Sequence, residues 1–550
     1  MLGKIKKLLL LSFLSLNLSA LATEVLSDNL PPLDGKIYEF KSSRPSLFNK
    51  DERSVFIRRE KVSVEGINDP KADIELSILS GSGSTLFRDE ETLSERAKEK
   101  AQEIRFESIS GKPEYPSPVE EVKVLNQNSF VNGLNLQASA SLAQLAGDIY
   151  LEFPLAAKRF TQYGFNEQHF IYSPHPDIKA AVLKNKDAII ITVRGTEPTS
   201  IKNWMTNAKF FQVPVIRGQS VRAHLGFSQA AADIMPFVRS EISSTLENKI
   251  RSLIAKIAAN PEGALKLASY GITAPVSAPD TRPIYLTGHS LGGAIATLLY
   301  GELTLSWLDE NTKGYYFIDP VLSKVSDENI NKLIADTLAA EQFYQVGEER
   351  SFSFYEEDAF RISNSLKHLA VIRVDTGFSA APAEDIQDLT VDRRLKALVT
   401  FGAPRALDWP FKYALESYAS ATGSTIVRFE NFFPRPHDGI ASFLADLVPR
   451  VPLERVGSGL FFPEYTHAGF RASFETEDED PEGNPKVLFC TYTNKASERN
   501  LMEYAIPSFS LTYHKMSLYL KRISSYIKAD ESLDSSHPCK SLKYEYPESI

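Results

Sequence analysis

The sequence predicts an α/β protein, a three-layer sandwich of helices around a mainly parallel central sheet. Three observations carry that prediction. Short runs such as Ala188-Ile189-Ile190-Ile191-Thr192-Val193 are apolar throughout, as strands buried on both faces of a sheet are. Pro283 to Thr287, Ala397 to Phe401 and Thr425 to Phe429 repeat that texture, with helical stretches between them, which is the rhythm of parallel pairing. The run Ile284-Tyr285-Leu286 then leads through a glycine-bounded serine directly into an apolar helix, Gly293 to Tyr300.

The first residues read as an export signal, not as part of the fold. Lys4, Lys6 and Lys7 precede an apolar run from Leu8 to Leu18, and Ala20-Leu21-Ala22 supplies a cleavage site after Ala22. A membrane-spanning helix needs ~20 apolar residues, and this run is shorter and contains Ser12, Ser15 and Asn17. No later run is long and apolar enough to span a bilayer. Export implies a secreted or periplasmic protein. Residues 23–127 read as an N-terminal extension and linker. Within it, 23–110 form a preface apart from the main body, with strands over Ser54–Val64 and Ala72–Leu79. A charged helix follows over Asp89–Phe106, with Leu93, Ala97, Ala101 and Ile104 on one stripe. The proline-rich stretch 111–121 closes the extension as a linker.

The main body is expected over 128–530, followed by a polar tail at 531–550. Ala138–Tyr150 fits a helix, and Ile178–Val193 fits two strands joined at Lys184-Asn185-Lys186-Asp187. Between a helix ending near Leu303 and the strand at Ala397 lies an insertion, 304–393, of about ninety residues, too long for a plain connection. Ile330, Leu333, Ile334 and Leu338 give it a helical face behind Ser326, an N-cap residue type, and Phe352–Phe354 and Ala370–Val374 read as strands. A chain of 550 residues has room for such additions around one core. Its formal net charge of -9 offers no basic surface for nucleic acid. The two cysteines, Cys490 and Cys539, are candidates for a disulfide in an oxidising compartment, the alternative being two buried thiols; no metal-ligand cluster competes for them.

Gly288-His289-Ser290-Leu291-Gly292 carries the chemistry. A strand, a sharp turn and a helix are what a nucleophile elbow requires, and the glycines leave room for a turn that exposes the serine oxygen at a helix N-terminus. This is the architecture of the α/β-hydrolases. A serine is a weak nucleophile until a base takes its proton and an acid orients the base. In this fold the acid and then the histidine follow the serine in the chain. Asp446, beyond the strand Thr425–Phe429, is the best-placed acid. Spacing leaves two bases open: His514, just before a helical stretch near the end of the domain, and His467. His537 lies in the polar tail. Oxyanion donors are expected from the backbone at Leu291, after the nucleophile, and at Thr196, which follows the strand ending at Val193.

These motifs in this order resemble the class 3 lipases, the fungal-type triacylglycerol lipases. The shared pieces are Arg194-Gly195-Thr196, Asn203-Trp204, His224-Leu225-Gly226-Phe227, Gly288 to Gly293, Thr400 to Arg405, Asp446 to Pro452, and His514 followed by Tyr519-Leu520. The resemblance spans roughly Asn128 to Ile523. It implies Ser290 as nucleophile, Asp446 as acid and His514 as base, with Thr196 and Leu291 as the oxyanion hole. It places His467 where the family carries a second, non-catalytic histidine. Two departures stand out: the insertion 304–393, and a dozen or so extra residues, Phe432 to Phe443, which make Asp438 a reserve candidate for the acid.

The expected activity is cofactor-free hydrolysis of lipid esters at a lipid–water interface, on triacylglycerol or phospholipid. A short-chain or plant-wall esterase of the same fold, and a catalytically silent lipid-binding protein, are the alternatives. Chain direction locates substrate entry. In a parallel sheet the site lies beyond the C-terminal strand ends, whereas the helix after Ser290 runs away from that edge, so the long insertion leaves from the far side. Two shorter segments leave from the near side. They carry Trp204 and Met205, and Phe432 and Phe433, as candidate substrate-binding residues.

Overall fold

Strand alternation in the computed structural model explains the layers. Along Ile189–Val193 every residue is buried, but Ile189, Ile191 and Val193 enter one core cluster and Ile190 another. Two faces of one sheet are therefore covered, which is why the strand needs apolar residues at every position. The structure describes residues 30–45, 50–81, 122, 125–131, 133–174, 177–195, 212–214, 221–260, 262–305, 317–333, 393–431, 465–475, 487–492, 514–528 and 539.

The strands are β1 (Asp34–Pro45), β2 (Lys50–Lys61), β3 (Asp73–Gly81), β4 (Glu167–Pro174), β5 (Asp177–Lys184), β6 (Ile189–Val193), β7 (Gln212–Pro214) and β8 (Arg222–His224). The later ones are β9 (Ile284–His289), β10 (Leu395–Phe401), β11 (Thr425–Asn431), β12 (Phe470–Glu475) and β13 (Val487–Tyr492). All but β7 and β8 form one 11-stranded sheet in the order β1-β2-β3-β4-β5-β6-β9-β10-β11-β12-β13. Its central run, β6-β9-β10-β11-β12, is parallel throughout. Antiparallel strands extend both sides, through β5 and β4 on one and β13 on the other.

The helices are α1 (Leu136–Asp148), α2 (Phe153–Gln162), α3 (Leu225–Arg239), α4 (Thr245–Ala258), α5 (Gly263–Ser269), α6 (Leu291–Leu305), α7 (Trp409–Thr422) and α8 (Met516–Lys528). Helices α3, α6 and α7 pack on one face of the sheet; α1, α2 and α8 pack on the other. Local chemistry fixes several ends. The Asn135 side chain accepts from the Ala138 amide at the start of α1, and α7 closes on Gly423 in the left-handed conformation, φ 70°. Among the described residues no helix is long and apolar enough to cross a membrane.

The preface differs from its sequence reading as a part set apart. Its strands β1, β2 and β3 continue the sheet, with β3 pairing parallel to β4 over Asp73–Ile78. The edge of β4 would otherwise expose unpaired amides, and β3 covers it. The described ends of the insertion lie far from the serine. Phe317, Leu322, Ile330 and Leu333 pack with Ile250 and Ile254 of α4 and Leu267 of α5, and the Glu247 carboxylate accepts from the amides of Ile318 and Asp319. At the other end Arg394 donates to the carbonyls of Ser243 and Asp280, beside the start of β9. Residues 327–333 are helical behind Ser326, whose hydroxyl accepts from the Asn329 amide. Residues 1–22, the helix expected over 89–106, the linker 111–121 and the strands expected at 352–354 and 370–374 lie outside the described residues.

Candidate active site

The pentapeptide at 288–292 makes the turn its glycines predict. Ser290 has φ 57° and is the only non-glycine residue with positive φ among those described. An L-residue in that region costs ~1–2 kcal/mol, so the surroundings must hold it there. They do so through backbone contact. The Ser290 amide donates to Phe401 O at 2.9 Å, and Ser290 O accepts from the Gly293 amide at 2.9 Å. A Cβ at Gly292 would lie 2.1 Å from Val193 O, and one at Gly288 would lie 2.5 Å from Gly292 C. The glycine spacing is therefore a packing requirement, with β6 and the first turn of α6 pressed against the turn on either side.

Ser290 thus stands at the C-terminal end of β9 and the N-terminus of the 15-residue helix α6. Leu291 is the first residue of α6, and the first amides of a helix have no acceptor within it. Those amides and the positive end of the helix dipole face the turn where negative charge would develop. On the β6 side, the chain leaves Val193 through Arg194 and Gly195. A Cβ at Gly195 would come within 2.8 Å of Ser290 Cβ, so this backbone lies directly against the nucleophile.

His514 reaches the same place from the other end of the domain. It lies two residues before the first residue of α8, is 3% exposed, and its ring lies 4.7 Å, centroid to centroid, from that of His289. Helix α8 also holds the end of β11. The Tyr519 hydroxyl accepts from the Asn431 amide at 3.3 Å, and Arg522 donates to Asn431 Oδ1 at 2.8 Å. Asn431 is the last residue of β11, the strand from which the segment bearing Asp446 departs. The helix behind the candidate base and the strand before the candidate acid are therefore bonded together at this edge.

Of the residues singled out from sequence, Ser290 and Leu291 form the turn and the first residue of α6, and His514 lies against His289, the residue before Ser290. His467 is buried three residues before β12, in the same short stretch as Tyr465, whose ring is 5.6 Å, centroid to centroid, from that of His224. Cys490 and Cys539 form a disulfide, with Cα atoms 5.0 Å apart. Asp446, Asp438, Thr196, Trp204, Met205, Phe432, Phe433 and His537 lie outside the described residues.

Sequence reasoning missed Tyr150 and gave His289 no role. The Tyr150 hydroxyl lies 2.9 Å from His289 Nδ1 and accepts from the Gly195 amide at 3.0 Å; His289 Nε2 lies 2.6 Å from His514 O. No motif announces Tyr150. It is brought in by α1, which the Thr192 and Thr287 hydroxyls fasten to β6 and β9. Burial, and then the charge of His514, push the His289 pKa well below the ordinary histidine range.

One group among the described residues has the side-chain types of a metal site: Glu75, His169 and Glu241. Cations already neutralise it. Lys184 Nζ is 2.7 Å from Glu241 Oε2, and Arg59 is 3.6 Å from Glu75. Burial would raise the Glu241 pKa, but His169 and Lys184 outweigh it and hold the carboxyl well below its usual range. The group is a buried ion-pair lattice joining β2, β3, β4 and β5 to the end of α3.

Comparison with known proteins follows the same line. Residues 190–306 match the family model described as lipase (class 3). No curated protein matches the chain. Among solved structures, lipase II from Rhizopus niveus is 16% identical, covering 62% of this chain and 80% of its own, with a TM-score of 0.28. A lipase from Rhizopus microsporus var. chinensis is 16% identical over 67% of this chain and 84% of its own, also at 0.28. The Rhizomucor miehei lipase–propeptide complex is 16% identical over 61% and 64%, at 0.26. At these scores the likenesses carry no argument about the site, and the fold rests on the strand order itself.

Proposed function

We propose that the protein is a serine ester hydrolase of the lipase type, in keeping with the match of residues 190–306 to the class 3 lipase model, and that it cleaves lipid esters through Ser290, Asp446 and His514. His514 takes the proton of Ser290 as the serine oxygen attacks the ester carbonyl. The tetrahedral oxyanion is held by the amides of Leu291 and Thr196. Collapse expels the alcohol, which receives the proton from His514, and water activated by the same histidine releases the acid. Asp446 keeps the His514 ring in the tautomer and orientation that this proton traffic needs. Trp204, Met205, Phe432 and Phe433 supply apolar contact with the acyl chain and the lipid surface.

The observation that carries this reading is the backbone of Ser290. A strained conformation is retained where surrounding contacts over-determine it, and such positions cluster at reactive sites. Here the strain puts a serine between a helix N-terminus and the loop at Gly195. Export to an oxidising compartment completes the proposal, supported by the Cys490–Cys539 bridge.

A fluorophosphonate probe and a panel of esters test it. The expected result is covalent labelling at Ser290 and faster turnover of emulsified triacylglycerol or phospholipid vesicles than of a soluble butyrate ester. Turnover confined to the soluble ester would make the protein a short-chain esterase. Lipid binding with neither labelling nor turnover would overturn the hydrolase mechanism.

A further inference from the structure

Two side chains beside the elbow have no role in the reaction described above, and their hydrogen bonds run in one direction only. A carbonyl can only accept, so His289 Nε2 must carry the proton it places on His514 O at 2.6 Å. That leaves Nδ1 as an acceptor, and it takes the hydroxyl proton of Tyr150 at 2.9 Å. The Tyr150 oxygen in turn accepts the Gly195 N–H at 3.0 Å. The result is a closed chain from the backbone of Gly195, through Tyr150 and His289, to the backbone of His514.

The ends of this chain matter. Gly195 abuts the Cβ of Ser290 and leads directly into Thr196; His514 is the candidate base. The contact is tight as well as bonded, since a Cβ at Gly195 would meet both Tyr150 Oη and His289 O at 2.5 Å. The imidazole is 5% exposed and is faced by the rings of Tyr150, His514 and Tyr519.

We propose that Tyr150 and His289 are a positioning pair, which locks the oxyanion side and the base side of the site into one frame by bonding the backbone at Gly195 to the backbone at His514. The pair touches no substrate. The proposal rests on the hydrolase reading of Ser290 and His514. A neutral His289 is required, because a second ring proton would displace the Tyr150 hydroxyl from its acceptor.

Tyr150→Phe deletes one oxygen and breaks the chain in the middle. It should lower kcat about 10- to 100-fold with KM nearly unchanged, the scale expected when catalytic groups drift by a fraction of an ångström to an ångström. His289→Phe should do the same, and the double variant should be no worse than the poorer single one, because both cut the same chain. His289→Gln, which keeps an N–H for the His514 carbonyl, should recover part of the loss. A Tyr150→Phe enzyme with kcat within twofold of the parent, or single losses that multiply in the double variant, would overturn the proposal.

A second measurement needs no variant to fold. Nitrogen-15 NMR of histidine-labelled protein, with the ring resonances assigned, should show His289 neutral, protonated on Nε2 and unchanged between pH 6 and 8, distinct from the buried His224, which also accepts on Nδ1. An Nδ1-protonated or charged His289 in that range would also overturn it. Labelling of the unmodified protein by fluorophosphonate separates the two readings: absence of labelling sinks the hydrolase, whereas the tautomer decides the hydrogen-bonded chain.

Discussion

Ser290 is held, 2% exposed, in a turn whose backbone no ordinary residue favours, and both its chemistry and that backbone can be measured. Ser290→Ala should abolish ester hydrolysis, and His514→Ala should come close to it, since loss of one triad member costs several orders of magnitude in rate. His467→Ala should keep measurable turnover; a dead His467→Ala beside an active His514→Ala would reverse the assignment of the base. The backbone makes a separate prediction. With φ at 57°, Ser290→Gly should be more stable than Ser290→Ala by about 1 kcal/mol in denaturant unfolding, because only glycine escapes the left-handed penalty. Equal midpoints would mean that the turn stores no strain. Ser290 was legible as a residue because an elbow has a spacing, whereas spacing left His514 and His467 both open as the base and only the family resemblance favoured His514. Tyr150 was not legible, because its role depends on where α1 ends relative to β6 and β9.

Two elements expose their energetics to solution conditions. His224 caps α3, accepting the Gly226 amide on Nδ1 at 3.2 Å, and burial lowers its pKa from 6.5 to about 4. Between those values the unfolded chain takes up a proton that the folded one refuses. Stability should therefore fall as pH drops from about 6.5 to about 4, by at most about 3 kcal/mol from this group. His289, also buried and neutral, acts in the same direction. Asp408, the N-cap of α7, opposes them: burial raises its carboxyl to about 6, so the folded state binds the extra proton there. His224→Asn keeps a cap acceptor and removes the titration, so its unfolding free energy should fall less steeply than the parent's over that window. Identical slopes would refute the assignment. The second element is the tail. Cys539 is fully buried in the core cluster that also holds α1 and α8, and is bridged to Cys490 on β13 across 49 residues. Protein kept from reductants should show no free thiol when denatured, and reduction should lower its melting temperature, since a loop of this length is nominally worth about 4 kcal/mol. Two titratable thiols in unreduced protein would end the idea.

At the scale of the molecule, the two edges of the sheet divide the labour. Ser290, Gly195, Asn431 and His514 gather at the C-terminal ends of the parallel strands, while the insertion is rooted at the N-terminal ends through α4 and Arg394. Removing residues 310–390 takes Phe317, Leu322, Ile330 and Leu333 from a buried cluster, each worth roughly 1.5–3 kcal/mol when fully buried. That deletion should lower the melting temperature and leave turnover of a soluble ester per folded molecule little changed. Trp204→Ser or Phe433→Ser should behave oppositely, depressing activity on emulsified lipid far more than on a soluble short-chain ester. Equal losses on both substrates would place those residues in the core instead of at an interface.

The sequence by itself determined what repeats or has a fixed local spacing. Unbroken apolar runs announced the central strands, because burial on both faces leaves no position for a polar residue. The glycines around Ser290 announced the turn, because a Cβ at either would collide with backbone. The paired cysteines were a candidate that chemistry alone could name. The tertiary structure decided what depends on contacts between distant segments. Strands β1 to β3 read as a preface because their alternation shows a half-buried strand without naming its partner; only β4, nearly a hundred residues later, supplies it. The chain from Gly195 to His514 joins four stretches through single hydrogen bonds, each set by how a helix or strand end is placed. No periodicity in the sequence encodes such an end-to-end fit, so it emerges only when the sheet and its two helical layers are assembled.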